Sequence, residues 1–239
     1  PRLRKKILYI NNGNGTFTDK AAAYGLDDAS FTIHSYFFDY DNDGDMDLFC
    51  GSQTTGTHGT NYLYRNNGNG SFTDVTTASG MIVYPYSWGA DWGDFDNDGD
   101  MDIYLANANA PNQLFKNNGN GTFSDVSASY GVDDPTQSFS CGWFDYENDA
   151  DLDLYVANAS TGIDKLYRND GSTFVDVAAA VGTNDALHSA CITLGDYNND
   201  GYLDIFVASF TGGKSGLYRN LRDGKFEEVR NNSEMFSAL

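Results

Sequence analysis

One nine-residue acidic ladder returns four times along this chain, and that repetition limits the fold more than any other feature. Its first copy reads Asp39-Tyr40-Asp41-Asn42-Asp43-Gly44-Asp45-Met46-Asp47, and further copies occupy residues 94–102, 145–153 and 196–204. Their starts lie 55, 51 and 51 residues apart. A period of this size marks a repeat protein, in which each unit buries its apolar face only against its neighbours. Every ladder runs directly into a β-type segment: Leu48-Phe49-Cys50, Ile103-Tyr104-Leu105, Leu154-Tyr155-Val156 and Ile205-Phe206-Val207.

Carboxylates at alternate positions, with a glycine at the sixth, wrap oxygen ligands around one hard cation, the glycine allowing the sharp turn. The candidate ligands are Asp39, Asp41, Asp43, Asp45 and Asp47 in loop one, and Asp94, Asp96, Asp98, Asp100 and Asp102 in loop two. Loop three offers Asp145, Glu147, Asp149, Asp151 and Asp153; loop four offers Asp196, Asn198, Asp200, Tyr202 and Asp204. With no His or Cys among them, zinc and copper are excluded as the intended metal, and the number of carboxylates favours Ca²⁺ over Mg²⁺. An EF-hand is excluded as well, because the ninth residue leads into a strand and no helices flank the loop. A single such run reads equally well as a solvated turn. Four at matched spacing concentrate charge that a cation would neutralise, so up to four Ca²⁺ are expected. Loop three is the expected weak site, with Ala150 in place of glycine and an altered geometry or a weaker grip as the consequence.

The formal net charge is −20, and the ladders hold over half of the 34 acidic residues. Four divalent cations would bring the charge to −12, still set against nucleic acid or an anionic membrane as partner. The basic cluster Arg2, Arg4, Lys5 and Lys6 reads as a solvated tail. No run of 18 apolar residues exists, so membrane insertion is not expected. Cys50, Cys141 and Cys191 form no disulfide framework and read as small buried core residues. Calcium loops of this kind suit millimolar Ca²⁺, which points to an extracellular, cell-surface or periplasmic location.

A second motif alternates with the first. Leu8-Tyr9-Ile10-Asn11-Asn12-Gly13-Asn14-Gly15-Thr16-Phe17-Thr18-Asp19 recurs from Leu63, Leu114, Leu166 and, more degenerately, Leu217. Two short strands joined by an Asn-Gly turn make a hairpin, because both residues tolerate positive φ. Each period then holds a strand, the acidic loop, a second strand, a variable stretch and the hairpin. Four antiparallel strands per period predict an all-β chain of β-propeller blades. The expected units are a half-blade hairpin at 7–19, blades at 31–76, 86–127, 137–178 and 188–229, and a tail at 230–239. Alanine-rich steps ending at Gly25, Gly80, Gly131 and Gly182 join them as short helical turns.

The pattern D-x-D-x-D-G-x-x-D before a strand, with L-Y-R-N-N-G-N-G-x-F-x-D, resembles the FG-GAP/VCBS repeat family, which includes integrin α-type propellers and the cartilage acidic protein group. The likeness runs from residue 7 to about 229. It implies Ca²⁺ held through side chains at the first, third, fifth and ninth positions and through the carbonyl of the seventh. It also implies about seven blades, so the four and a half are expected to be part of a larger ring completed by further blades, with a compact closed four- or five-bladed ring or closure by self-association with a second copy as the alternatives.

The expected function is a non-catalytic, calcium-rigidified extracellular module for adhesion, binding a protein or glycan. Its recognition stretches would be 51–60, 108–112, 160–165 and 209–215. Two alternatives are an accessory or catalytic propeller of a polysaccharide-processing enzyme and a structural repeat of a surface filament or matrix protein. Of the histidines, His34 and His188 precede inner strands and are the better enzymatic candidates; packed or solvated roles are the plainer reading of both, and His58 lies in a variable stretch.

Overall fold

The acidic loops sit where strand pairing demands a connection between two neighbouring antiparallel strands. The computed structural model describes residues 5–27, 32–52, 61–81, 86–159, 162–184, 188–210 and 215–229. Variable stretches 53–60, 160–161 and 211–214, His58, Arg2, Arg4 and the tail 230–239 lie outside these residues.

Four sheets of four antiparallel strands follow one another. They are β3 (Thr32–Phe38) to β6 (Phe72–Asp74), β7 (Ser87–Gly93) to β10 (Phe123–Asp125), β11 (Ser138–Phe144) to β14 (Phe174–Asp176), and β15 (Ser189–Gly195) to β18 (Phe226–Glu228). The hairpin β1 (Tyr9–Asn11) and β2 (Phe17–Asp19) forms a two-stranded sheet ahead of them. Within each blade the strands shorten from seven residues to three, the innermost being longest. The pairing runs to the mouth of each acidic loop, as in Phe38 opposite Asp47 and Phe144 opposite Asp153. Each innermost strand also carries a bulge between its first and third residues, between Ser87 and Gly89 for example.

Three four-residue helical turns, α1 (Ala21–Tyr24), α2 (Ser127–Tyr130) and α3 (Ala178–Val181), join the units. Each ends on a left-handed glycine, Gly25, Gly131 or Gly182, with φ between 74° and 91°. The fourth step, ending at Gly80, is a turn rather than a helix.

No blade has a private core. Each apolar cluster is shared by consecutive units: Phe49, Leu63 and Phe38 with Ile103 and Phe115; Tyr104 and Leu114 with Leu154 and Trp143; Tyr155 and Leu166 with Ile205 and Tyr218. The segment before the first blade contributes through Leu8 beside the hairpin, Ala21 of α1 and Leu26 after it, against Leu48 and Cys50. Strands buried on both faces require unbroken apolar runs, which the segments after each ladder supply.

The expectation for the basic cluster changes here. Lys5 pairs with Asp27, and the Lys6 ammonium lies 4.9 Å from the Tyr62 ring centre and 5.2 Å from that of Tyr64, so both residues dock on the fold. The expectation for Cys191 also fails: Cys50 and Cys141 are buried, but Cys191 is exposed. It lies on β15, the innermost strand of the last described blade, where no further blade packs on it among the described residues.

Candidate metal centres

Each ladder folds into one turn repeated with the same hydrogen bonds. The first carboxylate caps the turn by accepting from the backbone N–H groups of the fifth and sixth residues. In loop one Asp39 accepts from Asp43 at 3.2 Å and Gly44 at 2.9 Å; in loop two Asp94 accepts from Asp98 at 3.0 Å and Gly99 at 2.9 Å. In loop three Asp145 accepts from Asp149 at 3.1 Å and Ala150 at 2.8 Å, and in loop four Asp196 accepts from Asp200 at 2.9 Å and Gly201 at 2.8 Å. The fourth residue, Asn42, Asn97, Asn148 or Asn199, takes φ between 57° and 59°, a region asparagine tolerates.

The backbone turn of loop three therefore keeps the hydrogen bonds common to all four loops. Ala150 is held at φ 76°, where the other loops have glycine near 90°. The alanine costs on the order of 1 kcal/mol of backbone strain without changing the shape.

The ninth carboxylate is the structural anchor. Asp47, Asp102, Asp153 and Asp204 are buried, and each accepts two backbone N–H bonds. For Asp102 these come from Phe95 at 3.2 Å and Asn117 at 2.7 Å; for Asp153, from Tyr146 at 3.1 Å and Asn169 at 2.9 Å. Burial pushes these acids up, Asp47 to about 6 and Asp102 and Asp153 to about 7, although the amide donors pull the other way. Asp204 is raised for the same reason.

Loops one and two alone bring three carboxylates to within 4.8 Å among the described residues: Asp39, Asp41 and Asp43, and Asp94, Asp96 and Asp102. In both, an oxygen of the third residue, Asp41 Oδ1 or Asp96 Oδ1, is buried with no hydrogen-bond partner. An ionised oxygen withdrawn from water with no donor is costly, and a divalent cation answers that cost. The donor set is all oxygen, as Ca²⁺ requires. The remaining candidates, Asp45, Asp98, Asp100, Glu147, Asp149, Asp151, Asn198, Asp200 and Tyr202, lie on the same turns. Asp43, Asp98, Asp149 and Asp200 each accept from the backbone N–H of the seventh residue, at 2.9–3.0 Å.

Basic side chains reach into two of the loops. The Lys116 ammonium contacts Asp96 and lies 3.0 Å from Asp98; Arg222 Nε donates to Asp200 at 3.0 Å. Their positions in the hairpins gave no sequence signal of this.

The hairpin asparagines are a second set the motifs did not identify as functional. Asn117 donates from Nδ2 to Tyr40 O at 2.7 Å, across to the preceding loop, and to Met101 O at 3.2 Å in its own. Asn169 and Asn220 repeat this with Phe95 O and Tyr146 O, both at 2.7 Å. Their signal was present in the recurrence of Asn at the same place in each L-Y-R-N segment, which reads as turn chemistry alone. Among the stretches expected to carry recognition, 108–112 is fully described and closes inward: Asn112 is buried, accepting from Asn107 N at 2.8 Å and donating to Ser138 Oγ at 2.8 Å.

The histidines are engaged separately. His34 lies within β3, its Nε2 3.2 Å from Ser87 O, and its ring sits where a Cβ on Gly51 would clash at 1.9 Å. The ring of His188 lies 6.0 Å from that of Phe210.

A family model described as an FG-GAP-like repeat matches residues 4–50, 39–105, 94–156, 145–207 and 196–236, overlapping matches that share the four acidic loops. The chain belongs to this family. FG-GAP relatives include cartilage acidic protein 1 of Xenopus tropicalis, 26% identical over 203 residues, covering 75% of this chain and 30% of that protein. Cartilage acidic protein 1 of Homo sapiens is 32% identical over 157 residues, covering 62% of this chain and 23% of that protein. The FG-GAP chain thus spans less than a third of the curated relatives it matches. A solved structure, described as showing specific recognition of non-reducing terminal N-acetylglucosamine by an Agrocybe aegerita lectin, superposes with a TM-score of 0.55 at 20% identity. The superposition covers 92% of this chain and 59% of the lectin, and it places the FG-GAP chain in the same propeller-type fold. Among the described residues, no helix is long and apolar enough to cross a membrane.

Proposed function

We propose that the four loops are Ca²⁺ sites that stiffen a non-catalytic, extracellular or periplasmic recognition module. The observation that carries this reading is the pair of buried, unpartnered carboxylate oxygens, Asp41 Oδ1 and Asp96 Oδ1, each set among other carboxylates. Side chains of the first, third, fifth and ninth residues would hold the ion, with the carbonyl of the seventh. The ion's chemistry is to neutralise these acids and tie the two innermost strands of a blade at their shared end. At 100 times its dissociation constant, Ca²⁺ at one site stabilises the fold by about 2.7 kcal/mol.

The non-catalytic reading rests on the commitment of the ladder carboxylates to turn hydrogen bonds and of His34 to packing. The module's ligand is a protein or a glycan; a propeller-type neighbour whose description is of N-acetylglucosamine recognition supports the glycan arm. We further propose that additional blades cover the two ends of the stack. Phe37 is 54% exposed at one end, and Tyr197 and Phe206 are 49% and 39% exposed at the other.

The test is a calorimetric Ca²⁺ titration of chelator-treated protein, followed by thermal unfolding. Calcium is expected to bind and to raise the Tm, with Asp96→Asn deleting one site and Ala150→Gly tightening loop three several-fold. Absence of binding at millimolar Ca²⁺ would sink the metal reading, and equal affinities in Ala150→Gly and the parent would sink the ranking of the loops.

A further inference from the structure

Adjacent loops touch through a contact that the ion-binding pattern does not require. The fourth residue of each of the first three loops points its amide at the next loop rather than into its own. Asn42 Nδ2 donates to Asp100 Oδ1 at 2.7 Å, and Asn97 Nδ2 donates to Asp151 Oδ1 at 2.9 Å. Both acceptors are seventh residues, whose side chains are spare if that position serves an ion through its carbonyl. Loop four has Tyr202 at this position, and Asn148 there donates to Gly201 O at 3.3 Å. The hairpin asparagine reinforces each junction from below, joining the carbonyl of the second residue of one loop to the eighth residue of the next.

We propose that Asn42 and Asn97 are positioning residues that couple cation binding between neighbouring loops, a proposal that rests on the reading of the loops as Ca²⁺ sites. Ligation by residues 94, 96 and 98 fixes the turn on which Asn97 sits, since Asn97 lies between two of the ligands. The fixed amide holds the Asp151 side chain and so orders the residue whose carbonyl belongs to site three. By reciprocity, an occupied loop three favours binding at loop two to the same degree. The coupling runs from loop one to two and from two to three, and it is weakest between three and four. There the acceptor is a carbonyl at longer distance. Electrostatics oppose the effect, because two bound cations repel; the latch must outweigh a repulsion screened by the carboxylates around each ion.

The experiment follows the Ala150 amide by NMR during Ca²⁺ titration of the whole chain, so that loop three is read by itself. Disabling loop two with Asp94→Ala is expected to weaken loop three by about fivefold, at the low end of coupling between sites. In an Asn97→Gly background, which keeps the positive φ but removes the amide, the same lesion should leave loop three unchanged. Asp151→Asn retains an acceptor oxygen and should keep the coupling, whereas Asp151→Ala should lose it. Asn199→Gly, with no later loop in this chain, should alter nothing at loop three. Equal loop-three affinity with and without Asp94, at saturable binding, overturns the coupling alone. No calcium-dependent shift at any loop overturns the underlying reading and the coupling with it.

Discussion

The interior blade interfaces and the outer face of the last blade use the same sequence positions and differ sharply in burial. Tyr104 and Tyr155 are sealed between blades, while their counterpart Phe206 faces outward. Tyr40, Phe95 and Tyr146 are buried as second residues of their loops, while Tyr197 is half exposed. Nothing in the local sequence distinguishes these positions. The difference teaches that the core of this protein is made by the next blade, so burial is a property of the junction and not of the repeat.

The largest test of that comparison replaces the paired aromatics. Tyr155→Ala empties space between two blades and removes a hydroxyl bonded to Asp164 Oδ2 at 3.0 Å, so a loss of about 4 kcal/mol is expected. Phe206→Ala should cost about 1 kcal/mol, because much of its surface is already in water. Urea unfolding in chelator measures both. Equal losses would mean that the outer face is covered in solution.

The hairpin asparagines sharpen the comparison at intermediate size. Asn169 bridges two blades through Phe95 O and Leu152 O, whereas Asn66 donates from Nδ2 to Met46 O, within its own blade, at 3.1 Å. Asn169→Ala strands a buried carbonyl on the neighbouring blade and should cost about 2 kcal/mol, against about 1 kcal/mol for Asn66→Ala. A difference near zero in the same unfolding assay would remove the asparagine from the list of interblade ties.

A pH-dependent test reaches the junction of the first two blades. Burial lowers the His34 pKa from 6.5 to about 4, the Ser87 carbonyl partly offsetting it. Between those values the folded chain binds fewer protons than the unfolded one, so stability from this group falls as pH drops through that window. His34→Phe should flatten this part of the stability–pH curve relative to the parent. An unchanged difference between parent and variant from pH 7 to pH 4 would place the imidazole in water.

Much of the architecture was legible because it repeats. The acidic ladder marks where two inner strands connect, and the Asn-Gly segments mark the hairpins, since both depend on local φ preferences that residue type sets directly. The candidate ligand set was legible for the same reason, including the alanine of loop three. The turn's backbone was not, because the hydrogen bonds around Asp145 hold Ala150 in the glycine conformation despite the strain. Lys116 and Arg222 were illegible as loop contacts. Long side chains go where the fold puts an opposite charge, and the residues in contact are 18 to 22 apart in sequence.

By itself the sequence determined the repeat, the strand order within a blade, the turn chemistry and the all-oxygen make-up of the candidate donor set. Each of these is fixed by interactions within some ten residues, where type and spacing suffice. Tertiary structure alone decided which aromatics are core and which cysteine is exposed. It also decided that Asn42 and Asn97 serve the following loop and that Asn117 and Asn169 serve the preceding one. Those outcomes depend on what lies across a blade junction, 54 to 77 residues away along the chain, a distance over which the repeat copies the residue but not its surroundings.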